Sequence, residues 1–86
     1  NYIIKLTGYK FEKNAKNPLG LKYSFVLIKG SIRVLGYDNH ENKKPHVHRQ
    51  DKEYPYNFRN IETALDDFYK EVKELIKSDS NGENKD

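Results

Sequence analysis

The 86-residue chain has no cysteine, no methionine and no tryptophan, and only three prolines. Without cysteine there is no disulfide framework, no thiolate nucleophile and no Cys-based zinc site, and the chain reads as cytoplasmic. No stretch approaches the roughly 18 consecutive apolar residues of a membrane span, and no charged, apolar and small-residue leader suggests export, so no membrane partner is expected. A first residue Asn1 and the lack of any methionine suggest residues removed or lying upstream. Glycine-rich phosphate loops, the Ser, His and Asp order of hydrolases and a helix-turn-helix pattern are also missing. Each absence removes a common functional class.

What is present is a small, mildly basic chain. Sixteen Lys and Arg against 13 Asp and Glu leave +3, far from the basic blocks of a non-specific DNA binder. A chain this short hides only about 60% of the surface its unfolded form exposes, so its stability is marginal without a partner, self-association is open to it, and a self-sufficient multi-step enzyme is disfavoured. The charge is unevenly placed. From Lys5 to Lys52 eleven bases face four acids, 11 − 4 = +7, whereas from Glu53 onward nine acids outnumber five bases. Any basic face therefore belongs to the first two thirds.

Ile61, Ala64, Leu65, Phe68, Val72, Leu75 and Ile76 recur at three- and four-residue intervals and predict an amphipathic helix of about four turns. Asn60 is its expected N-cap. Upstream the period changes to two. Tyr2, Ile4 and Leu6 alternate with Ile3, Lys5 and Thr7; Leu21, Tyr23, Phe25 and Leu27 alternate with Lys22, Ser24, Val26 and Ile28. Lys29 and Gly30 mark a tight hairpin into a third strand ending at Tyr37. A second hairpin is expected around Gln50, Asp51 and Lys52, joining His46 to Arg49 with Glu53 to Phe58, and Pro55 demotes that arm to an edge. The expected fold is α+β: a small antiparallel sheet of four or five strands covered on one face by a C-terminal helix. Residues 1–77 form one domain and 78–86 a flexible polar tail. Tyr23, Phe25, Phe58 and Phe68 sit at core positions.

The chemistry concentrates in YDNHENKKPHVHR, from Tyr37 to Arg49, which holds all three histidines. His46 and His48 lie two apart, so on a strand both imidazoles leave one face about 6 to 7 Å apart. Four readings compete. The imidazoles can act as general base and acid on a phosphodiester, with Arg49, Lys44 or Lys52 stabilising charge on phosphorus. The histidines with Asp38 can form a zinc or iron site. They can contact RNA alone. Or an exposed His-x-His on an edge hairpin has no role. Tyr54 and Tyr56, flanking Pro55, are candidates for stacking on bases.

The stretch YDNHENKKPHVHRQDKEYPYNF followed by an amphipathic helix resembles the TumE family of small toxins from prokaryotic toxin-antitoxin pairs. Members carry an aromatic-Asp-Asn, a loop, a His-x-His, then acidic-aromatic-Pro-aromatic and a Phe before a terminal helix. Tyr37, Asp38, Asn39, His46, His48, Arg49, Glu53, Tyr54, Pro55, Tyr56 and Phe58 fall on those positions. Val47, where the family often has a polar residue, and a loop from His40 to Lys44 without glycine are departures. The resemblance implies a cytosolic growth-inhibiting toxin whose cognate antitoxin is a helix-turn-helix DNA-binding protein. Joined with the residue reading, it leads to the expectation of a metal-independent, cofactor-free toxin that cleaves or disables RNA. Its expected catalytic residues are His46, His48 and Arg49, with Asp38, Asn39, His40, Lys44, Lys52, Tyr54 and Tyr56 binding substrate. The alternative is a non-enzymatic nucleic-acid or protein binding module that inhibits by occupancy. The antitoxin is expected over the hairpin from His46 to Phe58, shielding Arg49 and Lys52.

Overall fold

The structure is a computed structural model that describes residues 1–39 and 44–83, with side chains as far as Asp79. Five strands, β1 (Tyr2–Lys10), β2 (Leu21–Lys29), β3 (Ile32–Asp38), β4 (His46–Arg49) and β5 (Lys52–Pro55), precede one helix, α1 (Ile61–Glu83). The strands pair antiparallel in the order β1-β2-β3-β4-β5, an open meander with the helix on one face. The α+β fold expected from the sequence is the fold observed. Among the described residues no helix is long and apolar enough to cross a membrane.

Alternation along the strands divides the sheet into two unlike faces. Towards the helix point Tyr23, Phe25 and Leu27 of β2, Leu35 and Tyr37 of β3 and Val47 of β4, all buried, meeting Ala64, Phe68 and Val72 of α1. Phe68 is fully buried, its ring 5.8 Å from that of Phe25 and 5.7 Å from that of Tyr37. Phe58 stacks on Tyr23 at 5.4 Å. These are the aromatic side chains whose periodicity predicts packing.

Turn chemistry fixes the register of the two hairpins. Lys29 pairs with Ile32 across a two-residue turn in which Gly30 adopts φ +63°, and Arg49 pairs with Lys52 across another in which Gln50 adopts φ +59°. A bulge between Leu27 and Ile28 gives β3 one extra residue, Val34, so that Leu27 faces Leu35 while Ile28 faces Arg33. That extra residue puts Arg33 on the helix-free face.

The helix starts where expected: Asn60 Oδ1 accepts from the Thr63 N–H at 2.7 Å and its carbonyl from the Ala64 N–H at 3.1 Å. It does not stop at Lys77. α1 runs on to Glu83, taking in part of the segment expected as a flexible tail, and residues 84–86 lie outside the described residues. The physical reason is tertiary: Asp79 Oδ2 accepts from the Tyr2 hydroxyl at 2.6 Å and pairs with Lys29 Nζ at 2.5 Å, tying the last turns to the β1–β2 end of the sheet. Likewise β5 is only Lys52–Pro55, shorter than the expected arm to Phe58.

Candidate active site

The helix-free face is read directly from the register. One row across the strands runs Thr7, Ser24, Asp38, His46, Pro55; the next runs Lys5, Val26, Gly36, His48, Glu53; a third begins Ile3, Ile28, Arg33. Two imidazoles and two carboxylates thus gather where β3, β4 and β5 meet. Across β1 and β2 the same face carries Lys5, Lys22 and the well-exposed Tyr9.

Asp38 is the hub. Its Oδ1 lies 2.7 Å from His46 Nε2 and its Oδ2 3.6 Å from His48 Nε2, with its own side chain 4% exposed. Glu53 Oε1 stands 3.6 Å from His46 Nε2. The two imidazole rings meet edge to face, 4.7 Å between centroids, closer than two free strand neighbours would stand. The expectation of exposed histidines is corrected here. His46 is buried and His48 half-buried, because Asp38 at the end of β3 draws both rings down against the sheet.

Proton bookkeeping at His46 is informative. Its Nδ1 lies 2.8 Å from the Lys44 carbonyl oxygen, which can only accept, so Nδ1 carries a proton. Its Nε2 then faces the Asp38 carboxylate, a second acceptor, at hydrogen-bond distance. The Lys44 carbonyl and the Asp38 carboxylate thus hold the His46 ring at its two nitrogens. His48 differs. Burial, and after it the positive charge of Arg33, hold its imidazole below ordinary basicity against the opposing pull of Asp38.

Arg33 reaches this site through a gap left by glycine. A Cβ built on Gly36 would sit 3.4 Å from Arg33 Cδ and 3.7 Å from Arg33 Nε, so the arginine stem lies over that glycine, beside His48. Asp38, His46 and His48 together offer one ligand atom each within 4.8 Å of one another, the set that could hold a metal.

The remaining residues singled out in the sequence are placed elsewhere. Arg49 follows His48 directly and therefore points to the opposite face, where Nε and Nη2 donate to Glu71 at 2.5 and 3.0 Å. Glu71 also accepts from the Tyr37 hydroxyl at 2.7 Å, and Arg49 lies over the Tyr54 ring at 5.3 Å. Burial by itself pushes the Glu71 carboxyl up, but the hydrogen bonds from Arg49 and Tyr37 and the charge of Arg49 outweigh it, and the net shift is down. Grouping Arg49 with the imidazoles is thus corrected by strand parity. Lys52 pairs with Arg49 and Tyr54 with Val47, so both share the helix side. Tyr56 donates to Asp67 at 2.5 Å and packs edge-on against Tyr37 at 5.2 Å.

Asn39 is buried and extends the ladder with its side chain, accepting from the Tyr23 N–H at 3.0 Å and donating to the Leu21 carbonyl at 2.8 Å. Lys44 reaches the cluster through its backbone carbonyl. His40 lies outside the described residues. Two side chains absent from the expected site set, Arg33 and Glu53, are in the cluster. Glu53 was legible from its pairing opposite His48 in a two-residue hairpin. Arg33 was not, since only the bulge places it.

Neither the curated proteins nor the solved structures gave a match. A protein-family model described as toxin TumE matches residues 7–76, a span that begins in β1, takes in the whole cluster and reaches into α1. Covering most of the chain, that match shows that the protein belongs to the TumE toxin family.

Proposed function

We propose that the chain is the toxin of a type II toxin-antitoxin pair and that it cuts RNA at the cluster on the helix-free face. A toxin role follows from the family; the reaction and substrate are the proposal. The observation that supports it is the composition of that face. Outside the cluster its strand positions carry Lys5 and Lys22 and no acidic residue, while Arg33 and the two acids of the face, Asp38 and Glu53, sit at the imidazoles. A phosphodiester drawn to such cations meets proton-handling groups at one point only.

In the reaction the RNA 2′-hydroxyl attacks the adjacent phosphorus and the bond to the 5′-oxygen breaks, leaving a cyclic phosphate and a free hydroxyl. The cluster takes the proton from the 2′-hydroxyl and returns one to the 5′-oxygen, and Arg33 neutralises charge on the phosphoryl oxygens. His48 and Glu53 face solvent and touch substrate. His46, buried with both nitrogens engaged, is a positioning residue that acts through Asp38. Family membership also implies an antitoxin; that it is a helix-turn-helix protein covering the hairpin from His46 to Phe58 is part of the proposal.

Incubating the purified chain with total RNA and resolving the fragments is the direct test. Fragments ending in cyclic phosphate, lost in His48→Ala and Arg33→Ala, are the expected result. Intact RNA throughout, with growth still inhibited in cells, would overturn the reading in favour of inhibition by occupancy.

A further inference from the structure

We infer that Asp38, His46 and His48 form a binding site for one divalent transition-metal ion of the zinc or iron class. The inference rests on the reading of this cluster as the reactive site, departs from the metal-independent chemistry expected from the sequence, and with the ion bound makes His48 a ligand and leaves substrate contact to Glu53 and Arg33.

Two features of the geometry converge. First, the donor atoms, the His46 and His48 Nε2 and the Asp38 carboxylate, all lie within 4.8 Å of one another. A tetrahedral ion with bonds of about 2.0 to 2.2 Å separates its ligand atoms by about 3.4 Å. The His48 Nε2–Asp38 Oδ2 distance of 3.6 Å is within about 0.2 Å of that value, whereas the His46 Nε2–Asp38 Oδ1 contact at 2.7 Å opens by about 0.7 Å when an ion enters. Second, the His46 Nδ1–H is spent on the Lys44 carbonyl. That outer hydrogen bond selects the tautomer with Nε2 free to ligate and fixes the ring, the arrangement found behind most metal-bound histidines.

The donor chemistry narrows the ion. Two imidazoles and one carboxylate suit zinc or iron, and disfavour calcium and magnesium, which take oxygen ligands. Three protein ligands leave further positions open, as in catalytic rather than structural sites. His48 is the solvent-facing member, with its side chain 20% exposed, so an open position lies on the side from which a phosphate would approach. Glu53 stands beside His46 on that face and is placed to accept a proton from a hydroxyl brought to the ion.

Calorimetry of the chelator-stripped chain with Zn²⁺ tests the site without any RNA. One ion per chain is expected, with affinity reduced in Asp38→Asn and in His48→Ala by more than the roughly 10- to 100-fold that losing an outer-shell partner costs. Arg49→Ala, on the other face, should bind as the parent does. Because a buried substitution can unfold the chain, Co²⁺ absorption on the unmodified protein gives a second reading, and intense visible bands of a four-coordinate ion are expected. Zn²⁺ binding unchanged in Asp38→Asn, or no binding to the folded parent chain, would overturn the inference. The two proposals fail separately: RNA cut equally well with chelator present by a chain that binds no Zn²⁺ removes the ion alone, whereas tight Zn²⁺ binding with RNA left intact removes the nuclease reading alone.

Discussion

Arg33 and Arg49 make a paired test of which sheet face does the chemistry. Arg49→Ala removes a two-pronged pair to Glu71, with donor distances of 2.5 and 3.0 Å, and the contact over the Tyr54 ring. Hydrogen bonds to charged groups contribute roughly 1.5 to 3 kcal/mol, but the Arg49 side chain is 47% exposed, so screening reduces this to about 1 kcal/mol. The ring contact adds about 0.5 kcal/mol at an exposed site. A loss of about 1.5 kcal/mol lowers the unfolding midpoint of a domain this size by roughly 6 to 12 °C. Arg33→Ala removes an exposed side chain lying over a glycine and should change stability by no more than about 0.5 kcal/mol. Growth inhibition should show the reverse order. Expressed without antitoxin and normalised to soluble protein, Arg49→Ala remains toxic and Arg33→Ala does not. An Arg49→Ala protein with an unchanged midpoint and no toxicity, beside a fully toxic Arg33→Ala, would refute the assignment of faces.

Glu71 sets an acid limb to stability. Its folded pKa lies below the ordinary glutamate value, so the stability it contributes is present above about pH 4.3 and is lost as pH falls through the folded value; Glu71→Gln should flatten that limb in a series of thermal melts. Tyr23 is buried and its hydroxyl has no partner among the described residues, so Tyr23→Phe should leave the melting temperature unchanged or raise it, and a fall would mean the hydroxyl is satisfied. Phe68→Ala empties the centre of the core and should cost about 3 to 5 kcal/mol, enough to populate unfolded chain in a denaturant titration. For the antitoxin, Lys52→Glu should slow association and weaken its salt dependence; rates that do not change would place the interface away from the β4–β5 hairpin.

Local patterning determined much of this protein. The period-two runs, Gly30 and the Gln50–Asp51 turn, the Asn60 cap and the spacing from Ile61 to Ile76 each dictate an element by short-range sterics and burial, and the five-stranded sheet with one helix follows from them. The position of His46 and His48 on one face was legible too. So was the separation of Arg49 from them, because neighbours on a strand point oppositely; composition alone, which merges bases and imidazoles into one cluster, hides it. Other features depend on groups far apart in the chain. The helix runs past its apolar pattern because Asp79 meets Tyr2 and Lys29 across the fold. Asn39, polar and beside a motif aspartate, is a ladder residue because two β2 backbone groups lie within its reach. Arg33 joins the site because a single bulge between Leu27 and Ile28 changes the register by one residue, and with a side-chain period of two that one step decides which face an arginine serves.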